Sequence, residues 1–231
     1  MGATHLPQLP LLRVPRIRGR VPIDGDLNKP PWSRLAPTPL APSHGRDPGN
    51  ARSSVQATAL RLCHDGERLY VAFDCADRDV WGTYRGRNER PYDEEVCEAF
   101  LAPNGDVRRY FELESSPRGA YWEGVIDNPD FARATMRTNL DWVCAGWERA
   151  VRVRGSLDVR DDIDDGWSVE WAIPFASLEA APPRAGERWR ANFFRIERPR
   201  GGPDEFSAWS PTFAEPAEFH LPQHFGVLEL E

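Results

Sequence analysis

Tyr92-Asp-Glu-Glu-Val-Cys-Glu-Ala-Phe-Leu-Ala-Pro-Asn-Gly-Asp-Val-Arg-Arg-Tyr-Phe-Glu-Leu-Glu-Ser115 is the stretch on which the fold reading turns. Two runs with strand-like alternation flank Asn104-Gly105, a pair whose tolerance of positive φ makes it a strong hairpin signal. A two-residue type I′ loop at that point sets Ala102 opposite Val107, Phe100 opposite Arg109 and Glu98 opposite Phe111. Glu98 and Arg109 then become diagonal neighbours on one strand face, among Val96, Phe100, Phe111 and Leu113. Charges in an apolar setting must be paired with each other or kept for a polar ligand. In the same register Glu112 lies opposite Cys97 and points away from Glu98. The hairpin therefore does not present the two acids, roughly 5 to 9 Å apart, that a glycosidase sets across its cleft. Glu170 and Glu197 are further acids in strand-like runs, with nothing in the sequence to bring them together.

Outward from this hairpin the chain keeps the same character. Alternating runs occur near Val55 to Cys63 and Arg68 to Cys75 around an Asp65-Gly66 turn, then at Ala120 to Val125 and Arg149 to Arg160. Others lie at Trp167 to Ile173, Trp189 to Glu197 and Phe225 to Leu230. Only Pro174 to Ala180 reads as helical. Regularly spaced strands with turn chemistry between them predict an all-β, antiparallel β-sandwich with minimal helix. The prolines between Pro22 and Pro48 exclude a central strand or regular helix in that segment. The expected organisation is a flexible N-terminal extension over residues 1–20 and one β-sandwich domain over residues 21–231.

The chain has 231 residues, 40% hydrophobic and 28% charged, as in ordinary globular proteins. No stretch is long and apolar enough to span a bilayer. No signal-peptide core is visible near the start, which gives a cytoplasmic protein as the expectation. The net charge of −7 argues against nucleic-acid partners. Every basic residue except Lys29 is arginine, a bias that fits a GC-rich genome, since the arginines are scattered among acids. Cys63, Cys75, Cys97 and Cys144 form no CxxC pair, and strand parity sends Cys63 and Cys75 to opposite faces, so free buried thiols are expected.

Nine tryptophans are a heavy aromatic load. Trp167 and Trp171 share parity with Val169 and Ile173 and read as core. Trp209 lies in a loop-like stretch ended by Pro211, and Tyr92 precedes the first hairpin strand. Either can pack structurally or present a flat apolar face to a ligand. Asp161, Asp162 and Asp164 form an acidic turn that either holds calcium or is a solvated hairpin tip; it lacks the spacing of an EF-hand loop. No GxSxG, no ligand-spaced histidine set and no phosphate-cradling glycine loop is present. Met136 as the sole internal methionine and Lys29 as the sole lysine weaken a haem reading.

In order along the chain, Ile23-Asp-Gly-Asp-Leu with Trp32, Leu69-Tyr-Val-Ala-Phe73, Tyr92 to Leu101 and Tyr110-Phe-Glu-Leu-Glu-Ser-Ser-Pro-Arg-Gly119 with Trp122 form a recognisable series. It continues with Gly166 to Phe175, Gly186 to Arg195, Trp209-Ser-Pro and Phe219 to Gly226. This series, over about residues 21 to 231, resembles carbohydrate-binding module family 9 and its family-9-like relatives. The resemblance implies a β-sandwich that clamps a sugar ring between two aromatics and carries structural calcium. Carried over by position, the aromatics are Tyr92, where sugar-binding members have tryptophan, and Trp209. The carboxylate is Glu98 and the strand arginine Arg109, with Arg108 as the alternative. The expected function is a non-catalytic module for a mono- or oligosaccharide, with structural calcium and no haem or nucleotide. The alternatives are a glycan-processing hydrolase or haem-binding redox domain on the same sandwich, and a protein-interaction domain in which Glu98 and Arg109 form a structural ion pair.

Overall fold

A computed structural model describes residues 9–43 and 56–231. Fourteen strands and no α-helix occur among them. The strands are β1 (Leu11–Val14), β2 (Thr38–Pro39), β3 (Ala41–Pro42), β4 (Thr58–His64), β5 (Arg68–Cys75), β6 (Val96–Ala102), β7 (Arg109–Ser115), β8 (Tyr121–Asp127), β9 (Arg137–Asn139) and β10 (Glu148–Arg154). They end with β11 (Gly166–Pro174), β12 (Glu187–Glu197), β13 (Glu205–Ala208) and β14 (Gly226–Leu230). The one segment expected to be helical is a short 3₁₀ turn at Phe175–Leu178. Val55 and Pro48 lie outside the described residues.

Two sheets face each other. The larger has the order β1-β14-β12-β6-β7-β8-β9, with β13 pairing β12 and β3; the smaller has the order β10-β11-β5-β4-β2. The expected sandwich is the observed one, and its core follows from alternation. Trp167, Val169, Trp171 and Ile173 of β11 and Leu69, Val71 and Phe73 of β5 point inward, as do Cys97, Ala99 and Leu101 of β6 and Trp189 and Phe193 of β12. Each large apolar side chain buried in this way contributes roughly 1.5–3 kcal/mol. All four cysteines are free and buried. Cys63 faces away from Cys75, as parity requires, while the Cys75 and Cys97 sulfurs meet across the two sheets at 3.5 Å.

The outer faces are covered as well. On the smaller sheet the N-terminal segment lays Val21 and Trp32 over Tyr70 and Ala172. Residues 11–14, expected within a flexible extension, instead form β1, which pairs parallel with β14 and buries Val14. On the larger sheet the outward residues Phe100, Tyr110, Trp122 and Phe194 meet Phe219 and Phe225 of the segment after β13. This second apolar cluster, remote from the inter-sheet core, frames the site.

The hairpin register departs from expectation. Cys97 pairs with Ser115, Glu98 with Glu114, Phe100 with Glu112 and Leu101 with Phe111. Gly105 has φ +77°, but Asn104 does not have the positive φ a type I′ turn needs. The turn closes from the Gly105 N–H to the Ala102 carbonyl, and a further turn runs through Asp106 to Arg109. The longer connection shifts β7 by an odd number of residues and turns every side chain of that strand to the opposite face.

Candidate functional site

The odd shift brings three glutamates together. Glu98 of β6 and Glu112 and Glu114 of β7 all point to the outer face, where each offers an oxygen within 4.8 Å of the other two. They are 3%, 5% and 0% exposed, so charge on them is poorly screened. Burial first, then the neighbouring Glu112 charge, raises the Glu98 carboxyl well above its ordinary value. Burial, followed by repulsion from Glu98 and Glu112, does the same to Glu114, and burial pushes Glu112 up to about 7. The separation of Glu98 from Glu112 expected from a two-residue turn is therefore overturned.

The glutamates line the floor of a cavity of about 520 Å³ on the outer face of the larger sheet. Its aromatic lining comes from Tyr92, Trp122, Phe206 and Phe219. Tyr92 sits in the 3₁₀ turn that enters β6, with the Arg90 guanidinium 5.5 Å from its ring centroid. Trp122 is placed by the β7–β8 pairing, which sets it opposite Glu114. Its indole reaches over Gly124, where a Cβ would stand 2.7 Å from the ring, so glycine two residues on is what admits the indole there. Phe219 stacks on Phe194 with centroids 4.1 Å apart. His220 accepts or donates through Nδ1 to the Tyr110 hydroxyl at 2.7 Å, and its Nε2 stands 3.9 Å from Glu112. Burial, then the nearby Arg133 charge, lowers its pKa to about 3, so the ring is neutral at ordinary pH.

The four residues expected to form the site separate into two groups. Tyr92 and Glu98 both line this cavity. Arg109 does not: the altered register points it toward the Phe111 side of β7, where it forms a bidentate pair with Glu179 at 2.7 and 2.9 Å. Arg108, the alternative, lies in the preceding loop beside Asp106 and Phe131. The Glu98–Arg109 ion pair on which a purely structural reading depended is thus not formed. Trp209 is also elsewhere. It is 8% exposed in the inter-sheet cluster, beside Phe193 and over Gly226, where a Cβ would meet its ring at 2.5 Å. Its segment instead offers Phe206 to the cavity, three residues earlier and of opposite parity.

The acidic turn does not assemble a calcium set. Asp164 is buried and accepts backbone N–H bonds from Ser156 at 2.7 Å and Val80 at 2.8 Å, while Asp161 pairs with Arg200 at 2.5 Å. Asp162 is exposed. The donor set fits a tied-down hairpin tip, not a cation cage. A second buried acid cluster, Asp77, Glu95 and Glu197, already holds a cation of its own in Arg195, which bonds Asp77 at 3.0 Å and the Ala76 carbonyl at 2.7 Å and also pairs with Glu197. Glu170 is remote from it and accepts from the N–H groups of Asp24 and Gly25 and from Trp32 Nε1. Glu170 and Glu197 are structural acids, not a pair.

Reading the sequence missed Glu112, Glu114, Trp122, Phe206 and Phe219 as site residues. The Glu-Leu-Glu spacing put two acids on one face of β7, but only the register decided which face. Phe206 lies on β13, a four-residue strand too short for alternation to mark, and Phe219 in the irregular segment after it, for which periodicity carries no information.

Known proteins share this architecture. A Bacteroides uniformis protein described as carbohydrate-binding superposes with a TM-score of 0.70 at 20% identity, covering 96% of this chain and 99% of that one. A family 9 carbohydrate-binding module from Caldicellulosiruptor kristjanssonii, solved with cellotriose, gives 0.63 at 15% identity, over 95% and 94% of the two chains. A protein of Arthroderma benhamiae named "Extracellular protein" is 26% identical over 175 residues, 73% of this chain and 76% of its own length. The family model described as carbohydrate-binding family 9 matches residues 50–230, most of the chain, and the protein belongs to that family.

Proposed function

We propose that this protein is a non-catalytic sugar-binding module whose ligand enters the cavity on the outer face of the larger sheet. The observation that carries the reading is the pairing of aromatic walls, Tyr92 and Trp122, with a floor of carboxylates led by Glu98. A pyranose has apolar C–H faces and a polar rim; the first suits an aromatic wall and the second suits buried acceptors. Arg133, held by Glu218 at 2.8 Å, and Arg198, which donates to the Tyr92 carbonyl, stand at the same cavity as hydroxyl donors. Family 9 modules solved with glucose and with cellotriose support the class of ligand. The reading extends to polysaccharide catabolism, in which such a module holds a glycan for a hydrolase to act on.

Paired-acid hydrolysis fits less well. The three glutamates cluster on adjacent strands with oxygens within 4.8 Å of one another, whereas hydrolysis needs two acids flanking a scissile bond.

The test is isothermal titration with a panel of mono- and oligosaccharides, on the parent and on Tyr92→Ala and Trp122→Ala. A single ring buries little area, so dissociation constants of about 1 µM to 1 mM are expected. Each truncation is expected to weaken binding at least ~10-fold. No heat across the panel, or variants that bind like the parent, sinks the reading.

A further inference from the structure

The cavity floor gathers more carboxyl groups than neutral hydroxyls require. Glu98 and Glu114 face each other directly across the β6–β7 pair, a placement that like charges disfavour. Both oxygens of Glu114 and Oε2 of Glu112 are buried and receive no hydrogen-bond donor. The cavity's arginines pair with acids other than these three: Arg133 with Glu218, Arg90 with Asp93 and Arg198 with Asp204. His220 is committed to Tyr110 through Nδ1 and stands beyond hydrogen-bond distance of Glu112. Among the described residues, then, no arginine or lysine forms an ion pair with these three acids, and Arg133 acts on Glu98 and Glu112 only at longer range.

We propose that the cavity takes a sugar bearing a primary ammonium, a 2-amino-2-deoxyhexose or an oligomer of it, with the ammonium seated among Glu98, Glu112 and Glu114. The proposal rests on the sugar-binding reading and specifies its ligand class. An ammonium offers three donors, and acceptors about 2.8 Å from a tetrahedral nitrogen stand about 4.6 Å apart. The three carboxylates, each with an oxygen within 4.8 Å of the others, are close enough to be reached by one such nitrogen. Trp122, opposite Glu114 and lining the same cavity, adds a ring face of the kind that attracts cations. A bare divalent ion fits less well, because it calls for about six to eight oxygen ligands and leaves the aromatic part of a 520 Å³ cavity unused. Without a cation the three acids share protons instead, which agrees with the raised proton affinity of all three.

Isothermal titration of the full chain with glucosamine, N-acetylglucosamine and glucose, and separately with calcium chloride, decides the matter. Glucosamine is expected to bind at least ~10-fold tighter than either neutral sugar, since a charge-assisted contact replaces a neutral one. In Glu114→Gln, checked for folding by its thermal transition, the ratio of the glucosamine and glucose affinities is expected to fall toward one. If that variant does not fold, the comparison of the three sugars on the parent still decides. Equal affinity for glucose and glucosamine overturns the inference and leaves the sugar-binding reading standing. Silence with every sugar of the wider panel overturns both. Stoichiometric calcium binding that blocks glucosamine assigns the glutamates to a metal and overturns the inference as well.

Discussion

Trp209 and Trp122 show how one residue type takes two roles through its place in the strand pattern. Trp209 follows β13 immediately after Ala208, whose side chain belongs to the outer cluster, and so turns inward to the inter-sheet core. Its indole lies over Gly226 and beside Phe193. Truncation to alanine leaves a void that the two sheets close only in part. Trp209→Ala is therefore expected to cost about 3–5 kcal/mol of folding stability, read from urea unfolding, while the sugar affinity of the folded fraction stays at the parent value. An unchanged unfolding midpoint together with lost sugar binding contradicts the core placement. The nine tryptophans were countable from the start. Which of them reach a cavity was not, because Trp122 and Trp209 differ only in the face their backbone presents.

At the scale of elements, the smaller sheet depends on an acid that looks catalytic in isolation. Glu170 of β11 is fully buried on the outer face and organises the N-terminal segment. Its Oε1 accepts from the Asp24 and Gly25 N–H groups at 2.5 and 2.7 Å and from Lys29 Nζ at 2.7 Å, and its Oε2 accepts from Trp32 Nε1 at 2.6 Å. The series Ile23-Asp-Gly-Asp-Leu with Trp32 is thus a strap fastened to one carboxylate. Glu170→Ala leaves those donors without their acceptor and the Lys29 charge without its buried partner. The expected loss is about 3–5 kcal/mol, with Glu170→Gln losing less because its carbonyl still accepts. Equilibrium unfolding of both variants checks this; equal stabilities for alanine and glutamine contradict the strap. The β6–β7 hairpin teaches a second lesson at this scale. Both strands, their alternation and the turn at Gly105 were legible, but the length of the connection was not, and an odd shift exchanged Arg109 for Glu112 and Glu114 at the site.

For the molecule as a whole, buried acids shape the pH dependence of stability: Glu98, Glu112 and Glu114 on the outer face, with Glu95 and Glu197 of the second cluster, which burial first pushes up to about 12 and about 8. Glu112 is pushed from the ordinary 4.5 to about 7, and Glu98 and Glu114 are likewise raised well above the ordinary value, so the folded chain holds protons that the unfolded chain releases. Where that holds, each such group costs about 1.4 kcal/mol per pH unit as the pH rises. His220 acts in the opposite sense: with its pKa lowered from 6.5 to about 3, it costs stability as the pH falls through that interval and contributes nothing above it. Between pH 6.5 and 8 the raised acids, Glu95 and Glu197 included, cost stability as the pH rises, and the melting temperature is expected to fall. Each kcal/mol moves it by roughly 2–4 °C in a chain of this size. Calorimetry across this range checks the expectation, with Glu112→Gln expected to flatten the part of the slope below about pH 7. A melting temperature that rises from pH 6.5 to 8 contradicts a protonated cluster.

The amino-acid sequence by itself determined the all-β sandwich, the inward face of β11 with Trp167 and Trp171, the opposed faces of Cys63 and Cys75, and the family. These follow from local alternation and turn chemistry, which strand sterics impose residue by residue. It also singled out Tyr92 and Glu98, which do share the cavity. Only the tertiary structure decided the rest of the site. The face that β7 presents depends on pairing register, which a loop of unspecified length leaves open. Phe206 is brought to the cavity by the pairing of β13 with β12, and Phe219 by irregular chain packed against the outer sheet face. Strand β1 is likewise decided by tertiary pairing, since four residues gain strand hydrogen bonds only where β14 provides an edge.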